Sequence, residues 1–182
     1  MSIKYNIGCF PRRSWPDDHW PVYHWPGGAA KSASDDLQHS PCYIVGSYLI
    51  AEEIVSLPSL DSDWPLHKSS MPDDTDNACA IYDTTPIVDT RISKSYPNTH
   101  YGLQIKVRAS DYETGKAKAD AIFALLETVQ NSSVEFDDYE YEIRTARPAT
   151  GVIALGQEYQ STKRRYLFTI NFISTIKYMV AA

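Results

Sequence analysis

HYGLQIKVRASDYETGKAKADAIFALLETV, residues 100–129, changes its hydrophobic period part-way along, and this change predicts a strand that leads directly into a helix. Apolar and polar residues alternate over the first part, which is the period-two pattern of a strand buried on one face. The apolar side of this predicted strand consists of Tyr101, Leu103, Ile105 and Val107, and the polar side of Gln104, Lys106 and Arg108.

The second part of the stretch has helical spacing. Its apolar positions fall on one side of a helix and comprise Ala119, Ile122, Leu125, Leu126 and Val129. At the junction, the Ser110 hydroxyl could bond the Glu113 amide while the Glu113 side chain reaches back to Ser110, which is the pattern of a capping box. We therefore expect an amphipathic helix that folds back over a sheet.

Length and charge limit the function classes. A chain of 182 residues is typical of one domain with appendages, and the formal net charge of -6 argues against a free nucleic-acid binder. Three widely spaced cysteines, Cys9, Cys42 and Cys79, favour a reducing compartment over a disulfide framework. We expect no signal peptide and no membrane span, because the nearly apolar run 42–51 is far shorter than a spanning helix requires.

Residues 1–40 are predicted to form an extended arm. Trp15, Trp20 and Trp25 each precede a proline, which disfavours helical geometry at both positions. Two interpretations remain open: the arm packs on its own domain, or it lies on a neighbouring subunit, since tryptophan is enriched at interface cores.

Metal binding is not predicted. The histidines His19, His24 and His39 and the cysteines Cys9 and Cys42 do not have the spacing of standard zinc ligands. The acidic run 73–76 lacks the glycine turn and terminal glutamate of a calcium loop, so we expect it to be solvated.

The remaining patterns predict an α+β fold with a mostly antiparallel or mixed β-sheet covered by two helices. A first helix should begin at Ser40-Pro41, with serine as its cap, and end at Pro58. An acidic loop over 58–77, a break at 131–133 and an irregular connection over 148–165 should separate the other elements. The apolar side of the first helix should comprise Ile44, Val45, Tyr48, Leu49 and Val55.

The predicted strands begin at residue 79. A hairpin should pair residues 87–94 with 100–108 through a turn at 96–98, with Pro86 marking an edge strand or a break. Further strands are expected around 139–143 and from Tyr166 onward. We therefore divide the chain into an arm, 1–40, and an α+β domain, 41–182.

The order of several short motifs resembles the tail terminator and minor capsid proteins of long-tailed bacteriophages. Residues 79–176 carry the resemblance. The motifs are the strand Gln104–Arg108, the Asp111-Tyr112 dipeptide entering a helix, and the pairs Arg147-Pro148, Leu155-Gly156 and Arg165-Tyr166. The long N-terminal arm departs from the compact family pattern.

The resemblance implies a structural virion protein without catalysis or cofactors. Such proteins form a homo-oligomeric ring, usually hexameric, at the head-proximal end of the tail tube, where they end tube polymerisation and join the tail to the head connector. Their partners would be the tail tube protein and the connector protein, and DNA would pass through the ring without sequence-specific binding. The expected location is the virion tail at the head–tail interface, after assembly in the host cytoplasm.

Two other function classes remain as alternatives. A non-enzymatic adaptor would use the Trp-Pro arm to grip a partner and would be a monomer. An enzyme would have to use His100 with nearby acids, or a metal at residues 73–76, but the sequence has no glycine-rich loop, nucleophile elbow or paired His/carboxylate motif. We therefore predict that the protein is not an enzyme.

The predicted interaction residues fall in two groups. Trp15, Trp20 and Trp25 are the aromatic anchors of the arm. The cations Lys163, Arg164 and Arg165, together with Arg147, would face the channel or an acidic neighbouring ring, where charge steers docking. A solvated loop tip is the alternative interpretation of these four cations.

Removing residues 1–30 should leave the α+β domain folded but weaken the oligomer or its docking, because the arm's tryptophans are expected to bury themselves between subunits. Circular dichroism would report the fold, and sedimentation would report the oligomer. Unfolding of the shortened chain would instead show that the arm belongs to the core of its own domain.

Overall fold

A computed structural model of the chain describes residues 37–59, 63–89, 98–160 and 163–179. The described part is an α+β domain, as predicted, and the predicted arm lies outside it except for residues 37–40. The elements are α1 (Pro41–Ala51), β1 (Leu66–Lys68), β2 (Ala78–Asp89), β3 (Asn98–Ala109), α2 (Tyr112–Glu127), β4 (Gln130–Phe136), β5 (Tyr139–Pro148), β6 (Ile153–Gln160) and β7 (Lys163–Met179).

All seven strands form one sheet with the order β1-β2-β3-β7-β5-β4, and β6 also pairs with β7. Only β1 pairs in parallel, so the sheet is mixed but mostly antiparallel, as predicted. The 17 residues of β7 pair with β3 along one edge and with β6 and then β5 along the other.

The sheet curls until the two ends of its strand order meet beside α1. The Lys68 ammonium on β1 lies 4.6 Å from the ring centres of Tyr43 on α1 and Phe136 on β4. Such distances allow cation–π attraction. The contact therefore links the first strand of the sheet to the last, with α1 covering both.

The core lies between the sheet and the two helices. Val107 pairs with Phe168 and Ile105 with Ile170, and all four side chains are fully buried. Helix α2 approaches this layer closely at Gly115, where an added Cβ would lie 2.6 Å from the Phe168 ring. The predicted core face of α2 is confirmed at Ala119, Ile122 and Leu126, whereas Leu125 is only partly buried and Val129 is buried just beyond the end of the helix.

The predicted start of α1 at Ser40-Pro41 is confirmed, but the side chains that cap both helices differ from the predicted ones. Ser40 occupies the N-cap position of α1, but Asp83 from β2 supplies the capping carboxylate, accepting from the Cys42 amide at 2.9 Å and from the Ser40 hydroxyl. A carboxylate is favourable there because helix N-termini carry partial positive charge.

Helix α2 uses Asp111 instead of the predicted capping box of Ser110 and Glu113. The Asp111 carboxylate accepts hydrogen bonds from the Thr114 amide and hydroxyl, both at 2.9 Å. The Ser110 amide is engaged elsewhere, because it donates to Asn77 Oδ1.

Several predicted boundaries are corrected by the structure. Helix α1 ends at Ala51, well before Pro58, and Glu53 follows with a φ of 56°, so Val55 is buried outside the helix. The predicted loop 58–77 contains β1, the predicted break at 131–133 lies within β4, and the predicted irregular connection 148–165 contains β6.

The predicted hairpin of β2 and β3 forms, but its register differs from the predicted one. Residues 102–108 pair with 78–84 instead of with 87–94, and only Ile87 opposite His100 belongs to the predicted pairing. The register shifts between Thr84 and Ile87, where Pro86 lies. Asn98, the last residue of the predicted turn, already belongs to β3, and the rest of that turn lies outside the described part. The strands predicted around 139–143 and from Tyr166 are β5 and β7.

Replacing Leu126 by aspartate should lower the free energy of unfolding by about 3–5 kcal/mol, because it would place an unpaired charge in the core. Leu126 is fully buried. Ala124→Asp is the matched control, since Ala124 is exposed on the same helix and its replacement should change stability by about 0.5 kcal/mol or less. Equal urea midpoints for the two variants would contradict the observed packing of α2.

Candidate functional site

The four predicted basic residues do not lie on a loop tip. Lys163, Arg164 and Arg165 are the first three residues of β7, and Arg147 lies near the end of β5. The structure separates them into two pairs with different environments. The predicted anchors Trp15, Trp20 and Trp25 lie outside the described residues.

Lys163 and Arg165 are held by the acidic segment 72–76, which is therefore not merely solvated as predicted. Both cations contact the Asp76 carboxylate at 3.0 Å, and Arg165 also donates to the Asp73 carbonyl at 2.7 Å. Arg165 is almost fully buried as a result.

Arg108 is the third cation beneath this segment, although its strand position predicted a polar outer face. It is 1% exposed and donates to the backbone carbonyls of Pro72 and Thr75. Glu158 on β6 lies 3.9 Å from its guanidinium. The segment thus folds over the helix-free face of the sheet and buries two arginines there.

Burial and ion pairing shift the pKa values of two groups in this cluster. The hydrogen bond from Lys163 holds the pKa of the Asp76 carboxyl below its ordinary value, and Arg165 acts in the same direction. Burial, together with the neighbouring Arg165, lowers the pKa of Arg108. We call Arg108, Lys163 and Arg165 with Asp73 and Asp76 the acidic-loop clamp, and its contacts show a structural role.

Arg147 and Arg164 are the other pair. Both side chains are exposed, and neither has an ion-pair partner in the part of the chain that the structure describes. The predicted basic surface is therefore reduced to these two cations, whose role in docking stays a prediction.

An acidic surface that the sequence analysis did not single out surrounds the turn between β4 and β5. His39, just before α1, bonds the Tyr141 hydroxyl at 2.7 Å and Asp137 at 3.2 Å, which fixes this hairpin to the start of α1. A shallow groove of about 480 Å³ lies there. Its carboxylates are those of Glu135, Asp137, Asp138 and Glu140.

A second, more apolar groove of about 560 Å³ lies where α1 ends. Ile50, Ile54 and Trp64 line it, and Glu53 and Asp63 add carboxylates. The wall also contains Lys118, whose ammonium is engaged with the Ile54 carbonyl at 2.9 Å and lies over the Trp64 ring. We call this feature the α1 groove.

The described residues offer little for catalysis or metal chemistry. They contain no group of three or more His, Cys, Asp or Glu side chains placed to hold a metal ion. His100 is hydrogen-bonded to the Thr175 hydroxyl at 2.8 Å. Burial raises the pKa of the Cys79 thiol to about 12 and also raises the pKa of Cys42, which disfavours the reactive thiolate. Among the described helices, none has the length and apolar character to cross a membrane.

Comparison with known families identifies the fold's relatives. Residues 48–178 match the family described as bacteriophage tail terminator protein. The chain belongs to this family. The match confirms the resemblance of residues 79–176 and extends it toward the N-terminus, so that it runs from within α1 nearly to the end of β7. A search of curated proteins found no match.

Membership of the tail terminator family makes the protein a structural component of a phage tail that interacts with other tail or head proteins. The grooves and exposed cations are therefore candidate contact surfaces, and the acidic-loop clamp is part of the scaffold that positions them.

Replacing Asp76 by asparagine should reduce the free energy of unfolding at pH 7 by about 1 kcal/mol, since the lost carboxylate bridges Lys163 to a buried arginine but is partly exposed. Because the folded-state pKa of Asp76 is lowered, its contribution is present above the unfolded pKa and is lost as the pH falls below about 4. Urea titrations at pH 7 and pH 3 would measure this.

The neighbouring Asp74→Asn variant is the control, because Asp74 is exposed and takes no part in the clamp. A stability difference between Asp76→Asn and the natural chain that did not shrink at pH 3 would contradict the assignment.

Proposed function

We propose that this tail terminator forms a ring of six copies at the head-proximal end of the tail tube. The ring ends tube polymerisation and joins the tail to the head connector. The observation that carries the proposal is the family match over residues 48–178, which includes the last turn of α1, all of α2, strands β1 to β6 and all but the last residue of β7.

A tail tube grows at one end. Identical rings add repeatedly to one end, so growth stops when that end is occupied by a ring whose outer face cannot accept another. A terminator subunit therefore needs two different axial faces, one that fits the tube and one that fits the connector.

The two ends of the domain differ in the way that two unlike axial faces require. Strand β7 would extend over about 50 Å if it were straight, and its ends carry different surfaces. The turn between β4 and β5, with its four carboxylates, lies beside the C-terminal end of β7, because Glu140 pairs with Met179. Arg164 lies at the N-terminal end.

The partners in this proposal are other copies of the chain, the tail tube protein and the connector protein, with DNA passing through the ring without sequence-specific contacts. The Trp-Pro arm would contact a neighbouring subunit or the connector. The function is structural and needs neither catalysis nor a cofactor, and assembly would take place in the host cytoplasm.

Phage particles made without this protein should have intact heads, unjoined tails and poorly controlled tail lengths, because nothing would occupy the growing end of the tube. Electron microscopy of lysates would measure tail length and attachment. Supplying the natural chain or Ala124→Asp in trans should restore normal particles, whereas Leu126→Asp should not. Normal-length tails attached to heads without the protein would rule out the terminator role and favour the adaptor interpretation.

A further inference from the structure

Strand β6 is an exposed edge with apolar side chains. In the described part of the chain it pairs only with β7, and Ile153 and Leu155 are 41% and 54% exposed. The edges formed by β1 and β4 differ, because α1 packs against both strands. An uncovered apolar edge strand is prone to pairing with another chain, so natural proteins usually cover or block it.

An exposed cation lies on the same face of the sheet as Ile153. Arg147 pairs with Ile173 of β7 and Ile153 pairs with Thr169, so the alternation of β7 places both side chains on the helix-free face. Arg147 is exposed and lacks an ion-pair partner within the described ranges. We call Arg147, Ile153 and Leu155 the β6 ridge.

The α1 groove has the complementary chemistry. Its apolar lining includes Ile50, Ile54 and Trp64, and its carboxylates belong to Glu53 and Asp63. The acidic groove at the β4–β5 turn is a poorer match for Ile153 and Leu155, because carboxylates make up much of its lining.

The two surfaces lie at opposite edges of the sheet. A continuous row of paired residues crosses five strands in the order Leu66, Cys79, Val107, Phe168 and Ala154. Leu66 begins at the β1 edge, where Ser56 of the α1 groove bridges to Pro65, and Ala154 lies within β6. Four strand spacings, or about 19 Å of sheet, separate the ends of this row.

We propose that the β6 ridge of one copy docks into the α1 groove of the next copy in the ring. This inference rests on the proposed ring. Two complementary surfaces at opposite edges make a heterologous contact, which closes into a ring when the rotation per subunit allows it. The contact covers Ile153 and Leu155 and brings Arg147 to the carboxylates of Glu53 and Asp63.

A charge exchange tests the pairing with the full-length chain. The variant Arg147→Glu should raise the concentration at which half of the chains are in rings by at least about tenfold, because like charges would face each other. The variant Glu53→Arg, Asp63→Arg should do the same. Mixing the two variants, or combining all three changes in one chain, should restore ring formation, as measured by sedimentation and negative-stain microscopy.

The apolar part of the contact has its own test. Leu155→Asp should also weaken the ring at least about tenfold, with an unchanged urea midpoint of the monomer, because the side chain is already mostly exposed. Ala124→Asp and Arg144→Glu are matched controls, since both residues are exposed outside the proposed contact. Neither should change the concentration dependence of the ring.

The possible results of these experiments distinguish a failure of the proposed interface from a failure of the proposed ring. Rings that form normally in both charge-reversed variants would overturn the interface and leave the terminator ring standing. Rings that form normally but no longer bind tube ends would assign the β6 ridge to the tail tube protein and overturn the inference as well. A natural chain that stays monomeric both in solution and on tubes would overturn the ring itself, and this interface with it.

Discussion

The hydrogen-bond ladder of β7 holds otherwise separate parts of the chain in a single sheet. One edge of β7 pairs with the β2–β3 hairpin, while its other edge pairs first with β6 and then with the β4–β5 hairpin. Phe168 also packs a helix onto this sheet, because its ring lies against Gly115 and fixes how closely α2 approaches the sheet. Loss of this strand would leave two hairpins and two helices without a common core, since isolated hairpins are only marginally stable.

The hydrophobic pattern of the sequence predicted the strands and the helix that bury one face. It missed β4 and β6, which bury little side-chain surface. Strands β3, β5 and β7 alternate clearly because a helix covers one side of each, and the core face of α2 follows from its helical period. Strand β4 buries only Val134, and the described side chains of β6 are exposed or partly buried. These two strands are defined by backbone pairing with the next strand along the chain, since Phe136 pairs with Tyr139 and Gln160 with Lys163. Backbone pairing alone leaves no periodic signal in a single sequence.

The burial of Arg108 and Arg165 was not predicted, and the physical reason is related. Arg108 follows the polar period of β3, so its position predicted solvent exposure, yet segment 72–76 folds over it and supplies backbone carbonyls as acceptors. Carbonyl acceptors are present in every residue, so no residue type reveals this use of a loop. Asp76 could have been matched to Lys163 and Arg165 by charge alone, but Asp73 and Asp74 offered the same match. Tertiary folding selects one of them.

The same geometry explains how a small structural subunit can keep lateral and axial contacts apart. Helix α1 covers β1 and β4, and the acidic-loop clamp covers part of the helix-free face, so the uncovered apolar edge of the described domain is concentrated at β6. If that edge joins neighbouring copies around a ring, the two ends of β7 remain available in the axial direction. These ends differ in charge, so a ring built from them would present unlike faces to the tube and to the head. A heterologous lateral contact that closes a ring and two unlike axial faces are together what stopping a repeating polymer requires.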